Sequence, residues 1–305
     1  MDPASASSVA ARARTENFPV ASLLFPRALR PHLRAIYGFA RLVDLLGDEY
    51  EADERGTAGG VPFQAGASAG DTGKARAPSQ TTSTSDVVAD RLAALDDLEA
   101  QLEACYDGEP SWEVMRELQP TIRACSLPPE PFLWLIEANR MDQRMSVYET
   151  WADLKHYCVH SADPVGRLVL GVLGRGGDPK AVALSDDVCT GLQLVNFLQD
   201  VPRDLALGRV YLPAEDRRSF GVEELDRPSP ELRQLLEFEA ERARVLLASG
   251  EELGRLLGGG RLGRAVALFA RGGLAALDAL EQADWDIFNG RPRPSRARLA
   301  LAAIW

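Results

Sequence analysis

Apolar residues recur three and four positions apart along most of the chain, which is the period of an amphipathic helix. No stretch alternates apolar and polar residues as a half-buried strand would, so the sequence predicts an all-α protein. Thr150 and Asp153 resemble a capping box, and Pro164 with Gly166 should kink the helix that follows them. We expect helices over residues 31–50, 86–106, 112–125, 128–142, 151–167, 179–206, 230–257 and 262–288.

Two regions carry few apolar residues, namely 1–15 and 53–85. Segments of this Ser, Ala, Gly, Thr and Pro composition cannot bury enough apolar surface to offset the entropy lost on ordering. The helical pattern resumes after residue 85 without a change of character. We therefore interpret 1–15 as a disordered N-terminus, 16–305 as one domain, and 53–85 as a flexible insertion within it.

A polar stripe follows the predicted helix over 179–206. Gln193, Asn196, Asp200 and Asp204 lie three, four and four residues apart, so they share one helix face. Two carboxylates one turn apart suit Mg²⁺, which takes oxygen ligands and keeps several waters or substrate phosphates. An isolated pair of this kind is more often a solvated helix face, so the interpretation depends on a counterpart elsewhere.

The counterpart lies near the N-terminus, where Tyr37, Arg41, Asp44 and Asp48 repeat the spacing. Two such helices facing each other across a bundle would hold divalent ions. Those ions would clamp a diphosphate group, with Arg41 as an additional cationic contact. The matched pair therefore predicts a Mg²⁺-dependent diphosphate site.

Composition and charge exclude several classes of function. There are 45 acidic and 34 basic residues and a net charge of −11, which argues against general nucleic-acid binding. The four cysteines are widely spaced without a CxxC motif, as in reduced cytoplasmic proteins. The N-terminus lacks the apolar segment of a secretory signal, and no run approaches 18 apolar residues. We expect a cytoplasmic location.

Two further runs of sequence allow more than one interpretation. The basic run 291–298 fits either a solvated tail or contact with anionic lipid or diphosphate, which leaves peripheral contact with the inner face of the membrane open. The run 258–263 matches G-x-G-x-x-G, but it lies between helices with no preceding strand. We therefore interpret 258–263 as a turn and not as a dinucleotide site.

These motifs together resemble the squalene/phytoene synthases, the head-to-head prenyl synthases, from residue 16 to about residue 298. That family carries two D-x-x-x-D motifs on facing helices, and they match Asp44 with Asp48 and Asp200 with Asp204. The hydroxysqualene synthase branch is the most similar: it shares E-N-F-P-V-A-S at 16–22, A-N-R-x-D-Q at 138–143 and Y-C-x-x-S-A-x-P-V-G at 157–166. Two positions depart from the usual pattern, with Leu45 in place of Asp and Asp163 in place of Asn.

The resemblance implies a single-domain isoprenoid-synthase-type helical bundle with a central active-site cavity. The implied reaction converts presqualene diphosphate and water to hydroxysqualene and diphosphate, with Mg²⁺, in squalene and hopanoid biosynthesis. Companion enzymes of the squalene pathway are the implied partners. The alternative is a complete head-to-head synthase that makes squalene or phytoene from two prenyl diphosphates. The implied catalytic residues are Tyr37, Arg41, Tyr157, Ser161, Gln193 and Asn196. The implied substrate-binding residues are Ser22, Arg41, Gln193, Asn196, Arg203 and Tyr211, and the implied metal ligands are Asp44, Asp48, Asp200 and Asp204.

The chemistry adds one requirement, which is control of water. A carbocation needs an apolar pocket with electron-rich walls such as Tyr157 or Phe197. Ser161 or Asp163 could hold the attacking water and accept its proton. Alternatively, Ser161 bonds back to a helix carbonyl and Asp163 caps the turn at Pro164.

Two other classes of protein also have to be considered. A terpene cyclase or chain-elongating prenyltransferase usually carries D-D-x-x-D, which this chain lacks. A non-catalytic helical scaffold would give no reason for two matched polar stripes.

Overall fold

The computed structural model of the protein describes residues 25–49 and 84–292, and within these ranges it contains helices and no β-strand. The predicted all-α fold is confirmed. The predicted N-terminal disorder, Ser22 and the insertion 53–85, apart from its last two residues, lie outside the described residues. The helices are α1 (Arg30–Asp44), continued by a π-helical segment (Leu45–Glu49), α2 (Thr84–Asp107), α3 (Glu113–Cys125), α4 (Glu130–Arg144), α5 (Trp151–Ser161), α6 (Asp163–Val172), α7 (Pro179–Ala206), α8 (Ala214–Ser219), α9 (Pro230–Leu247), α10 (Ser249–Leu256) and α11 (Gly260–Gln282).

Helix α7 is the central helix and packs against α6, α9, α10 and α11. It begins at Pro179, as predicted, because the Asp178 carboxylate accepts hydrogen bonds from the backbone N–H groups of Lys180 and Ala181 at 3.1 and 3.2 Å. Its buried apolar side chains flank the polar stripe. Pro202 lies inside the helix, which continues for only one further turn to Ala206.

The predicted kinked helix over 151–167 is two helices, α5 and α6, which are separated at Ala162 (φ −117°, ψ −52°). The break follows from Pro164, which cannot donate the backbone hydrogen bond that would continue the helix. The predicted capping box is present: the Thr150 hydroxyl accepts from the Asp153 N–H, and the Asp153 carboxylate accepts from the Thr150 N–H at 2.9 Å. Gly166 then allows α6 to approach α7, since a Cβ there would lie 2.3 Å from the Ser185 hydroxyl oxygen.

The prediction of one helix over 230–257 is wrong, because the chain bends at Ala248 and forms α9 and α10. The bend brings Gly250 and Gly254 directly against α11. The predicted turn over 258–263 is shorter than expected: Gly258 and Gly259 form it, with positive φ angles of 93° and 66°, and α11 begins at Gly260. The backbones of α10 and α11 approach each other closely because Gly254 and Gly263, where the helices cross, have no Cβ atom.

The buried apolar residues form two clusters. One joins α1, α2, α3 and α4, and the other joins α5, α7, α9 and the second half of α11. In the described parts of the chain, no helix is both long enough and apolar enough to cross a lipid bilayer.

The α10–α11 crossing gives a stability prediction. A Cβ at Gly263 would lie 2.1 Å from the Gly254 carbonyl oxygen, so Gly263→Ala forces two backbones apart and should cost about 1–3 kcal/mol of unfolding free energy. Gly272 lies on the same helix, and a Cβ there would meet no other atom within 4 Å, so Gly272→Ala should stabilise by about 0.5–1 kcal/mol. Urea unfolding followed by circular dichroism measures both. Equal stability of the two variants would contradict the close crossing.

Candidate active site

The two acidic motifs meet at one end of the bundle, where Arg209 connects them. After α7 ends, the Arg209 backbone N–H donates to the Asp204 carbonyl at 2.8 Å, which turns the chain back. The Arg209 guanidinium then donates to the Asp48 carboxylate at 2.8 Å, across 161 positions of sequence. The first motif therefore lies close to the C-terminal end of the second.

Asp48 lies in the π-helical segment and not in a regular α-helix. The π-helical segment contacts α4 here. The Gln143 side chain of α4 donates a hydrogen bond to the Gly47 carbonyl oxygen at 2.9 Å. A Cβ at Gly47 would lie 2.0 Å from the Asn139 side-chain oxygen, so only glycine fits here. The sequence spacing predicted that Asp44 and Asp48 share one face of a regular α-helix. The π turn instead reorients Asp48 relative to Asp44.

Asp142, near the end of α4, is a site residue that the sequence analysis missed. Its carboxylate accepts hydrogen bonds from the hydroxyl groups of Tyr157 at 2.7 Å and Tyr211 at 2.8 Å. Burial raises the pKa of Asp142 to about 6, although nearby Arg209 and the two hydroxyl donors oppose the shift. The available signal was Asp142 itself within the A-N-R-x-D-Q run, but its partners are distant in sequence.

Four aromatic rings stack beside Asp142 and form a continuous surface, the aromatic wall, consisting of Tyr148, Tyr157, Phe197 and Tyr211. The Phe197 and Tyr211 rings are parallel, with centroids 4.2 Å apart, and Tyr157 and Tyr211 are 5.5 Å apart. Burial raises the pKa of the Tyr157 and Tyr211 hydroxyls well above the ordinary value, so both remain neutral donors to Asp142. Tyr211, implied to bind substrate, is thus a buried member of this wall.

The second motif is held by Arg291, which the sequence placed only in a basic run. Its guanidinium lies 3.3 Å from the Asp200 carboxylate and donates to the side-chain oxygens of Asn196 at 3.2 Å and Gln199 at 3.0 Å. Burial, and then the neighbouring Asp200 carboxylate, raise the pKa of Asp204 to about 7. These two aspartates therefore repel each other in a partly buried position.

The remaining implied residues lie near the same stripes. The Arg41 guanidinium is 3.1 Å from the Asp44 carboxylate, and Tyr37 lies one turn earlier on α1, half-buried. Gln193 is half-buried on α7. Arg203 is mostly exposed and lies 3.9 Å from Asp200.

The implied water-handling residues have different surroundings from those expected. Asp163 is buried and accepts a hydrogen bond from the Thr190 hydroxyl at 2.9 Å, so the expectation that it caps the turn at Pro164 is wrong. Ser161 has a buried hydroxyl without a hydrogen-bond partner, so the expectation that it bonds back to a helix carbonyl is also wrong. Neither residue contacts Tyr157 through a hydrogen bond in the described structure.

The residues of the two motifs fit Mg²⁺. All are oxygen donors, and a divalent cation would offset the burial and the nearby Asp200 charge that raise the pKa of Asp204. Among the described residues, no three His, Cys, Asp or Glu side chains converge on one point. Mg²⁺ needs only one or two protein carboxylates, with waters and phosphates completing its shell.

The chain is similar to known proteins over most of its length. A family model described as squalene/phytoene synthase matches residues 11–298. Hydroxysqualene synthase of Rhodopseudomonas palustris is 33% identical over 260 residues, 84% of this chain and 76% of that protein. The 15-cis-phytoene synthase of Synechocystis sp. is 33% identical over 230 residues, 69% of this chain and 67% of that protein. The crystal structure of squalene synthase HpnC from Alicyclobacillus acidocaldarius is 41% identical, with a TM-score of 0.72, and covers 90% of this chain and 91% of that one. These matches confirm the resemblance inferred from the motifs.

Asp163 gives a pH prediction. Burial and nearby Asp186 raise its pKa from 3.8 to about 7, so between these values the folded state binds more protons than the unfolded state. Unfolding free energy therefore falls as pH rises through this window. Asp163→Asn should show no stabilisation near pH 4 and a stabilisation on the order of 3 kcal/mol above pH 7, relative to the wild type.

Urea unfolding over a series of pH values measures this difference. Asp107→Asn, on an exposed side chain at the end of α2, is the matched control. A difference between Asp163→Asn and the wild type that does not vary with pH would show that folding does not raise the pKa of Asp163.

Proposed function

Because this chain belongs to the squalene/phytoene synthase family, we propose that it converts presqualene diphosphate and water to hydroxysqualene and diphosphate. The observation that carries this choice is the match to hydroxysqualene synthase of Rhodopseudomonas palustris over 84% of this chain. Members of the family process prenyl diphosphates. The proposed activity is that of a Mg²⁺-dependent carbon–oxygen lyase in squalene and hopanoid biosynthesis, acting alongside companion enzymes of that pathway.

Three arginines support the departure of diphosphate. Arg41, Arg209 and Arg291 each contact an aspartate of the two motifs, so three guanidinium groups are concentrated at this end of the bundle. Their N–H groups can donate to diphosphate oxygens as the carbon–oxygen bond breaks and negative charge accumulates. Bound Mg²⁺ would supply further neutralisation of that charge.

The aromatic wall suits the cation that remains. Ring faces carry partial negative charge, and the rings of Tyr157 and Tyr211 are fixed because Asp142 accepts both of their hydroxyl hydrogens. A fixed wall stabilises positive charge and excludes bulk water, so the cation can rearrange before it is captured. Asp142 thus acts as a positioning residue for the wall.

A prenyl chain needs more room than the wall offers in this structure. The cavity bordered by Phe197 and Tyr211 has a volume of about 10 Å³. A prenyl chain therefore does not fit between these two rings as they stand. The substrate-sized central cavity implied by the family stays a prediction.

The second candidate is a complete head-to-head synthase that condenses two prenyl diphosphates to squalene or phytoene. The match to the 15-cis-phytoene synthase of Synechocystis sp., also at 33% identity, supports it. Under either activity we propose a prenyl diphosphate substrate and a cytoplasmic location, with peripheral contact at the inner face of the membrane where such substrates partition.

Product identification distinguishes the two candidates. Purified protein with Mg²⁺ should convert presqualene diphosphate to hydroxysqualene and should give no product from farnesyl diphosphate alone. Formation of squalene or another head-to-head product from farnesyl diphosphate would favour the second candidate. Inertness towards both substrates would refute both.

The role of the acidic motifs gives a second prediction for this site. Asp200→Asn/Asp204→Asn removes both carboxylates of one pair, and turnover should fall by at least about 100-fold because the departing charge is less well neutralised. Removing Mg²⁺ with a chelator should have an effect of similar size, reversed by added Mg²⁺. Asp187→Asn, on the same helix but outside the stripe, is the matched control, since its carboxylate accepts from the Ser249 hydroxyl. Near-normal turnover of the double variant with intact helical content would exclude metal dependence through this pair.

A further inference from the structure

A small cavity adjoins the aromatic wall where α7 ends. Its volume is about 10 Å³, close to the minimum that holds one water molecule. Phe197 and Tyr211, the two parallel rings of the wall, form part of its lining. Most of the remaining lining is apolar and includes Val201, Val210 and Leu225. The cavity is therefore a single-water space within an apolar surround.

The polar lining residues supply the partners that a water molecule needs. Arg209 carries N–H donors, and the Asp204 carboxyl group offers an acceptor. The Tyr211 hydroxyl is already engaged, because it donates to Asp142 at 2.8 Å. A buried water typically makes two to four hydrogen bonds, and Arg209 and Asp204 together supply a donor and an acceptor for two of them.

We infer that this cavity binds the water molecule consumed in the proposed reaction, and the inference rests on that proposed function. Diphosphate leaves with the electron pair of its carbon–oxygen bond, and the cyclopropylcarbinyl cation rearranges against the wall. The water oxygen then forms the new carbon–oxygen bond as the ring carbon–carbon bond opens. The released proton passes to an oxygen of the departed diphosphate, so atoms and charge balance.

The position of the cavity explains how one water molecule reaches the cation while other water is excluded. The reaction requires one water in a site that otherwise excludes water, and a water held by Asp204 and Arg209 lies at the end of the bundle where diphosphate is released. The region around Ser161 and Asp163 is less suited to binding the attacking water. Asp163 already accepts from Thr190, and the buried Ser161 hydroxyl has no hydrogen-bond partner among the described residues to help it hold a water.

Filling the cavity tests the inference without altering a polar group. Val201→Ile and Val210→Ile each add one methylene, from α7 and from the following loop respectively, to a space that holds one water. Val195→Ile is the matched control, because Val195 is a buried valine of α7 outside the cavity lining. Ser161→Ala tests the other region in the same assay.

Two quantities are measured with presqualene diphosphate and Mg²⁺: the rate of diphosphate release and the fraction of product that is alcohol. We expect both filled variants to release diphosphate within about threefold of the wild-type rate. Their alcohol fraction should fall at least about fivefold, with eliminated or rearranged hydrocarbons replacing hydroxysqualene. Val195→Ile should keep the wild-type product fraction. Crystal structures should show one ordered water in the wild-type cavity and none in Val201→Ile.

Two outcomes would overturn the inference while leaving the proposed function intact. One is an unchanged alcohol fraction in both filled variants. The other is a loss of alcohol in Ser161→Ala alone, which would place the water near α5. If the wild type releases no diphosphate from presqualene diphosphate, the proposed function itself fails, and the inference fails with it.

Discussion

Concentration of negative charge at one end of the bundle is the constraint on which the rest of the site depends. Arg209 ties Asp48 to the end of the second motif, where burial and then the neighbouring Asp200 carboxylate raise the pKa of Asp204 to about 7. Arg41, Arg209 and Arg291 offset this charge from a helix, a loop and a C-terminal segment respectively. Arg209 and Arg291 come from outside the motif helices, so the charge balance is a property of the tertiary structure. The same guanidinium groups are suitably placed for an anionic leaving group.

The Asp142 carboxylate has a different role from the aspartates of the two motifs, because its surroundings are different. Asp142 is buried among aromatic rings and accepts hydrogen bonds from two phenols, while Arg209 supplies nearby positive charge. Arg209 thereby links the anion-binding end of the bundle to the aromatic wall. Loss of this arginine would remove the cation that contacts the Asp48 carboxylate and lies near Asp142. One residue thus connects the two halves of the proposed chemistry, departure of the anion and stabilisation of the cation.

Helical irregularities coincide with the positions where the site is built. The π-helical segment reorients Asp48, the break at Ala162 separates α5 from α6 next to the wall, and α7 ends one turn beyond Pro202. Each departure has a local cause: the contact of Gly47 with Asn139, the missing donor of Pro164, and the positive φ of 74° at Gly208 just after α7.

The sequence by itself determined the helical class, most helix boundaries and both acidic motifs, because these depend on spacing along one helix. The start of α7 at Pro179 and the capping box at Thr150 are local, and they were predicted correctly. The tertiary structure alone decided the partners of those motifs. Asp142 with Tyr157 and Tyr211, Arg209 with Asp48, and Arg291 with Asp200 are pairs that lie 15 to 161 positions apart. The bend at Ala248 was likewise missed, because it is set by packing of α10 on α11. Helical periodicity specifies which face of a helix a side chain occupies, whereas the packing of whole helices determines what that face meets.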